Sequence, residues 1–217
     1  TTTPRPTKLM RELVDDVEVR VTRGSTYDNA GNLASAFLRT IRKKYEGTRL
    51  GRQELNAELL TDTPGALWTL AQLDELRTRV IVAMKRIVVA VDPAVSTGDD
   101  ACETGIVVVG LGENDLVYVL DDASGQYSPG EWAAKVKELY DRWQADRVIA
   151  EANNGGNLVE ANLKTVDAAL PVRLVHASRG KRTRAEPVAS LYEQGRVRHL
   201  GAFPTLEDQM TTWDASG

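Results

Sequence analysis

The most regular hydrophobic pattern in the chain begins at residue 87 and continues towards the C-terminal end. The run from Ile87 to Val91 is β-branched and apolar at every position, which is typical of a strand covered on both faces. Two more predicted strands follow closely, and helices and strands then alternate, which indicates an α/β fold with a mixed sheet and helices on both faces. The predicted elements are strand 87–92, strand 104–111, strand 115–122, helix 129–143, strand 146–151, helix 156–168, strand 172–176, helix 184–194 and strand 196–199.

The N-terminal part of the chain has a weaker pattern. Apolar and charged residues alternate over 17–21, which predicts a half-exposed strand. One helix is predicted after Asn32, a second over 49–60 and a short third over 70–77. With so few residues and so many charges, residues 1–65 are not expected to enclose a core alone.

Turn residues separate these two parts of the chain. Pro64 and Gly65 interrupt the helical pattern before the long series of strands begins. We therefore expect a small segment of helices and one strand over 1–65, a linker over 66–85 and the α/β domain over 86–217.

Composition narrows the class of protein without pointing to a function. Apolar residues make up 42% and charged residues 27% of the 217 positions, which is ordinary for a globular protein. No apolar run approaches the roughly 20 residues of a membrane span, so no membrane partner is expected. The single cysteine, Cys102, cannot form an internal disulfide, which favours a reducing, cytoplasmic compartment. Because the net charge is −4, any binding of nucleic acid must use a local basic patch.

Two of the predicted interior strands end in an acidic residue, Asp92 and Glu151. A free carboxylate is costly to bury, so Asp92 is not expected to be packing filler. If the two strands are neighbours, their ends approach each other, and carboxylate oxygens suit Mg²⁺ or Mn²⁺. The alternative is that Asp92 caps the following turn while Glu151 forms a surface ion pair. The pattern alone favours neither interpretation.

The remaining candidate residues near these strand ends give weaker signals. The polar turn over 153–157 either admits a ligand close to its glycines or is a plain strand-to-helix turn. His176 and His199 have no third histidine or cysteine nearby, which argues against a zinc site. The other acids are predicted to be solvated turn or loop residues, any of which could still supply an outer ligand: Asp99, Asp100, Glu103, Asp121 and Asp122.

A basic segment over 178–184 follows the predicted strand 172–176 and contains four cations. Loops after the strands of α/β proteins line a cleft, so this segment could hold phosphates without reading a sequence. The residues in question are Lys181, Arg182 and Arg184. The alternative is an ordinary solvated face.

Taken together, these residues resemble the large terminase subunit of tailed bacteriophages, the motor that packages DNA into capsids and cuts it. Each motif is weak alone, but together, in order over nearly the whole chain, they form a specific signal. The matching stretches are TTTPRP, GSTYDNAGNLASAF, YEGTRLGRQELNAELL, DTPGALW, VVAVDPA, VIAEANNGG and GKRTRAEPVASLYEQGRVRH.

The resemblance implies that residues 1–65 are the last part of an ATPase domain and residues 86–217 a nuclease domain of ribonuclease-H-like fold. No G-x-x-x-x-G-K-[ST] motif occurs, so the chain alone is not expected to hydrolyse ATP. Asp92 and Glu151 match the first two metal-binding carboxylates of the family. The third, an Asp at the start of a C-terminal helix, is expected beyond Gly217.

The implied activity is divalent-metal-dependent, largely sequence-nonspecific cleavage of double-stranded, concatemeric DNA in the cytoplasm of the bacterial host. Asp92 is expected to bridge two Mg²⁺ or Mn²⁺ ions and Glu151 to ligate one of them. Lys181, Arg182 and Arg184 are then expected to hold the DNA backbone. The implied partners are the portal protein and the small terminase subunit, in a possible homo-oligomeric ring.

Two other functions remain open from the sequence. One is a catalytically inactive module that only docks on DNA or on the portal. The other is an actin-like or sugar-kinase ATPase, which also has an Asp at the end of its first strand. Those folds usually place Gly two residues after the Asp, whereas this chain has Ala94 there.

Overall fold

The computed structural model describes residues 8–46, 49–58, 63, 65–94, 103–152 and 156–213. It divides into two compact units, one of residues 1–75 with 202–217 and one of residues 76–201. The division falls inside the segment predicted as a linker, and the last residues group with the first unit. The helices are α1 (Lys8–Asp15), α2 (Ser35–Tyr45), α3 (Arg49–Asn56), α4 (Leu70–Glu75), α5 (Pro129–Arg142), α6 (Gly156–Val166), α7 (Lys181–Glu193) and α8 (Pro204–Thr212).

The first unit consists of α1 to α4 and α8, with α8 packed against α3 and α4. Its buried apolar residues include Leu55, Leu70 and Leu73. The rings of Trp68 and Trp213 lie 6.5 Å apart between centroids. None of the helices in the described part of the chain is long and apolar enough to cross a membrane.

The predicted strand over 17–21 is wrong. The chain turns there instead, because the Asp16 side chain accepts a hydrogen bond from the Glu18 amide at 2.9 Å and the Asp16 carbonyl accepts one from Val19 at 3.1 Å. Val17 is 99% exposed. An alternating pattern forms a strand only where a neighbouring strand satisfies its backbone groups.

Two predicted helices are shorter in the structure. The helix expected over 49–60 ends at Asn56, since Ala57 has φ 54°, in the left-handed region that ends a helix. Leu59 and Leu60 lie outside the described residues. The helix expected over 70–77 ends at Glu75, and the next residues form a short strand that the sequence pattern did not reveal.

Within the described residues, seven strands form one sheet in the second unit. They are β1 (Arg77–Thr78), β2 (Met84–Asp92), β3 (Gly105–Gly112), β4 (Val117–Asp122), β5 (Arg147–Glu151), β6 (Val172–Val175) and β7 (Val197–Leu200). The order across the sheet is β1-β7-β4-β3-β2-β5-β6. β3 runs antiparallel to both neighbours and the other pairs are parallel, so the predicted mixed sheet is confirmed.

The helices α5 and α6 contact each other and pack on β2, β5 and β6. α7 connects β6 to β7, which lies on the far side of the sheet, so this connection runs opposite to those through α5 and α6. A right-handed crossover in that direction places α7 on the other face of the sheet from α5 and α6. Ser128 and Glu131 cap the start of α5: the carboxylate of Glu131 accepts hydrogen bonds from the Ser128 amide and hydroxyl. The α/β fold with helices on both faces thus follows the sequence prediction.

Candidate metal centre

Asp92 and Glu151 lie next to each other at the carboxyl ends of β2 and β5. Val91 is the register partner of Ala150 in this parallel pair, so the residues that follow them are neighbours. On its other side Asp92 pairs with Gly105 of β3. The row across the sheet at this level is Gly105, Asp92, Glu151 and Val175.

Strand alternation directs both carboxylates to the same face of the sheet. Val91 and Ala150 are buried in the core beneath α5 and α6. Successive side chains point to opposite faces, so Asp92 and Glu151 lie on the other face. Val88 and Ala90 of that face are only half-buried, so the predicted burial of this strand on both faces is wrong.

An open pocket of about 260 Å³ lies over this second face of the sheet. The side chains on this face are therefore less buried than those beneath α5 and α6. Asp92 and Glu151 both line the pocket and supply its carboxylates. The rest of the lining is apolar and comes from four neighbouring strands: Ala90, Val91, Gly105, Val107, Ile149 and Val175.

Thr104 fixes the chain just after Asp92. Its hydroxyl accepts a hydrogen bond from the Ala94 amide at 3.1 Å. Its backbone exchanges hydrogen bonds of 2.8 and 3.0 Å with Gly125. Since Thr104 is fully buried, the turn that leaves Asp92 is tied to the interior of the sheet.

Most of the basic segment lies on a helix rather than on a loop, since only residues 178–180 precede it. α7 begins at Lys181, three residues before the predicted start, and this places all three predicted DNA-binding cations in its first turns. Arg184 donates a hydrogen bond to Glu151, with 3.1 Å between Nη1 and Oε2. Arg182 instead pairs with Glu186 one turn along the helix, at 2.9 Å and with both side chains exposed.

The charges around the pocket shift the ionisation of Asp92. Burial raises the pKa of Asp92 above its ordinary value of 3.8, and the negative charge of Glu151 raises this pKa further. The positive charges of Arg184 and Lys181 lower the pKa but do not cancel the rise. The pocket therefore disfavours two adjacent negative charges unless a cation joins them.

The two carboxylates fit a hard divalent cation. Mg²⁺ and Mn²⁺ prefer oxygen ligands, and Mg²⁺ keeps several waters when one or two carboxylates hold it. Within the described residues, no group of three or more His, Cys, Asp or Glu side chains is placed to hold a metal ion. Asp92 and Glu151 thus provide a pair of ligands rather than a complete protein cage.

Two of the other acids have structural partners in the sheet. Asp121 accepts hydrogen bonds from the Trp143 indole at 3.0 Å and from Arg142 at 3.2 Å, which ties β4 to the end of α5. Asp122 accepts hydrogen bonds from the amide and hydroxyl of Ser124. Asp99, Asp100 and the turn residues 153–155 lie outside the described residues, and Glu103 is exposed.

Neither histidine lines the pocket that contains the carboxylate pair. His199 is buried in β7, where its Nε2 atom is 2.8 Å from the Tyr192 hydroxyl of α7. His176 is exposed after β6. Sequence reasoning did not identify Thr104, Gly105 or Val175 as parts of the site. Their only signal was their position beside the ends of predicted strands.

Comparisons with known proteins agree with this fold. The family model of the terminase RNaseH-like domain matches residues 89–216, more than half of the chain. No curated protein matches the chain in sequence. Among solved structures, the nuclease domain of the large terminase subunit gp2 of bacterial virus Sf6 is similar, with 14% identity and a TM-score of 0.52. The match covers 67% of this chain and 81% of that domain.

Two further structures have TM-scores below 0.5 and carry no argument of their own. The large terminase nuclease of the thermophilic phage G20c has 14% identity and a TM-score of 0.45, over 68% of this chain and 80% of that one. RuvC of T. thermophilus in complex with a Holliday junction has 16% identity and a TM-score of 0.38, over 59% and 91%. Because this family model covers more than half of the chain, the chain belongs to the terminase family, and residues 89–216 are its RNaseH-like domain.

Proposed function

We propose that this chain carries the metal-dependent endonuclease centre of a viral DNA-packaging terminase. The observation that supports this best is the placement of Asp92 and Glu151 side by side in one pocket of an RNaseH-like sheet. The substrate in this proposal is double-stranded, concatemeric DNA, cut without strong sequence preference. The site of action is the cytoplasm of the bacterial host.

Asp92 and Glu151 would hold one or two Mg²⁺ or Mn²⁺ ions. A bound pair of such ions would supply activation of a water and stabilisation of the leaving oxygen in phosphodiester hydrolysis. Asp92 would be the ligand shared between the ions, a role that the family resemblance implies and that its position beside Glu151 allows. The third acidic ligand of the family remains a prediction.

The contacts to DNA are assigned to the start of α7. Lys181, Arg182 and Arg184 are exposed there, and the helix begins at the same edge of the sheet as the carboxylates. Contacts from Lys and Arg to phosphates position a duplex without reading its bases, which suits sequence-tolerant cleavage. Portal protein, small terminase subunit and a ring of copies are the partners proposed for the complete motor.

Cleavage of supercoiled plasmid in Mn²⁺ tests the proposal. Because the third acidic ligand is expected beyond Gly217, we expect a version of the chain extended past that residue to nick or linearise the plasmid. In the extended version, Asp92→Asn and Glu151→Gln should abolish cutting while leaving the circular dichroism spectrum unchanged. Asp121→Asn is a matched control, because Asp121 also lies near the end of a strand of the sheet, β4, but binds Trp143 and Arg142. If Asp92→Asn cuts as fast as the wild type, the assignment is wrong.

A second candidate is an inactive module that docks on DNA or on the portal. The observation in its favour is that the described residues bring only two carboxylates into the pocket. Such a module would bind plasmid without cutting it in Mn²⁺, and its affinity for DNA would not change with Asp92→Asn. The nuclease loses cleavage with the same substitution.

A further inference from the structure

The cations at the start of α7 divide into two groups by helical geometry. Lys181 and Arg184 are three residues apart and share one face of the helix. Both act electrostatically on Asp92. Arg182 lies on a different face and pairs with Glu186, where both side chains are more than half exposed. Arg184 thus contacts the carboxylate pair directly, whereas Arg182 belongs to the outer surface.

The contact between Arg184 and Glu151 is partly shielded from water. The Glu151 side chain is 21% exposed and the Arg184 side chain 40%, whereas the Arg182–Glu186 pair is exposed at 52% and 53%. Charges that are partly buried interact more strongly than those at an open surface. The guanidinium therefore offsets part of the repulsion between Glu151 and Asp92.

We propose that Arg184 is an internal counter-cation of the metal site, which binds Glu151 when metal is absent and gives it up when a divalent ion binds. The inference rests on the proposed metal-dependent function and adds a role for a residue assigned above only to DNA. Its basis is the 3.1 Å contact between Arg184 Nη1 and Oε2 of Glu151, a residue that lines the pocket.

Arg184 and a divalent ion compete for the same carboxylate. A guanidinium beside the pocket repels the incoming ion and occupies an oxygen that the ion needs. Removal of this charge should tighten Mn²⁺ binding by about tenfold, a conservative value for a partly screened unit charge a few ångströms away. Once displaced, Arg184 is free to bind a DNA phosphate, so the metal and the DNA support each other's binding.

The test measures Mn²⁺ affinity of the full chain from the electron paramagnetic resonance signal of free Mn²⁺. We compare the wild type with Arg184→Gln, which removes the charge, and Arg184→Lys, which keeps it. Arg182→Gln is the matched control from the same helix, and Asp92→Asn removes the site. The melting temperature in EDTA and in Mn²⁺ is a second measurement that does not depend on cleavage.

We expect Arg184→Gln to bind Mn²⁺ about tenfold more tightly than the wild type, with Arg184→Lys within about threefold of it and Arg182→Gln unchanged. Arg184→Gln should also melt lower in EDTA and gain more from Mn²⁺ than the wild type does. If Arg184→Gln binds Mn²⁺ no more tightly than the wild type while Asp92→Asn abolishes binding, the inference is wrong and the metal site stands. If Asp92→Asn binds Mn²⁺ as the wild type does, or if no variant binds Mn²⁺, the inference about Arg184 and the proposed metal site are both wrong.

Discussion

Asp92 and Glu151 stand side by side at the ends of two parallel strands, because Val91 and Ala150 are register partners. Two carboxylates in one pocket repel each other, and burial adds to the cost of charging Asp92. Functional sites often retain such unfavourable charge because a ligand relieves it. This charge arrangement has consequences for stability as well as for function.

Asp92→Asn should stabilise the metal-free protein at neutral pH. The folded-state pKa of Asp92 is raised, so the Asp92 carboxyl binds a proton more tightly in the folded protein than in the unfolded chain. The ionised carboxylate therefore lowers the free energy of unfolding. The resulting penalty is fully present above the folded-state pKa and disappears as the pH falls through that pKa and below the ordinary value of 3.8. Melting temperatures of the two proteins in EDTA at pH 7 and at pH 4 measure this difference.

The gain from Asp92→Asn should be larger at pH 7 than at pH 4. Asp115→Asn is a suitable control, because Lys85 lowers the pKa of Asp115 by hydrogen bonding and the opposite sign is expected. A wild type that is more stable than Asp92→Asn at pH 7 in EDTA would contradict the electrostatic description of the pocket.

Thr104→Val should destabilise the sheet by about 1 kcal/mol, because it removes the acceptor for the Ala94 amide and leaves a part-buried group unpaired. The substitution hardly changes the volume of the side chain. Urea unfolding measures the change, with Thr165→Val on the exposed side of α6 as the control. Equal stability of Thr104→Val and the wild type would show that this hydrogen bond does not hold the turn after Asp92.

Tyr192→Phe should cost about 1–2 kcal/mol, because it removes the hydroxyl 2.8 Å from His199 Nε2 in a buried contact between α7 and β7. Tyr140→Phe is the control, since Tyr140 is partly buried but its hydroxyl makes no hydrogen bond within the described part of the chain. Urea unfolding of both variants separates the two effects. A loss as large for Tyr140→Phe would indicate that the hydroxyl of Tyr192 has no special role.

Lys181→Gln should weaken the binding of duplex DNA equally for all sequences. A plot of the logarithm of the association constant against the logarithm of the salt concentration should also become less steep, by about 1. The reason is that each Lys that neutralises a phosphate releases condensed counterions. Lys164→Gln is the matched control, because Lys164 lies in the last turn of α6 and pairs with Glu160 of the same helix. An unchanged salt slope for Lys181→Gln would remove Lys181 from the proposed DNA contact.

Much of the sheet could be predicted from the sequence, because its central strands are long apolar runs. The predicted end of the first strand at Asp92 agrees with β2. β1 was missed because a two-residue strand has no periodicity and exists only through its pairing with β7. The strand expected over 17–21 shows the converse, since a periodic pattern without a partner strand gave a turn.

The candidate site was only partly predictable. Acids at the end of apolar strands are visible locally, so Asp92 and Glu151 could be named from the sequence. The contact of Arg184 with Glu151 depends on where α7 begins. The N-cap residue is Gly180, which has no side chain to form the capping hydrogen bond that would mark a helix start in the sequence. Thr104 depends on a tertiary hydrogen bond to Ala94, which no local pattern encodes.

Anomalous diffraction from crystals of the chain soaked in Mn²⁺ tests the central claim most directly, because it locates the ion rather than its effects. We predict an anomalous peak in contact with both Asp92 and Glu151, with Arg184 moved away from Glu151. A saturated soak that leaves this pocket without a peak and keeps the Arg184–Glu151 pair in place would contradict the account.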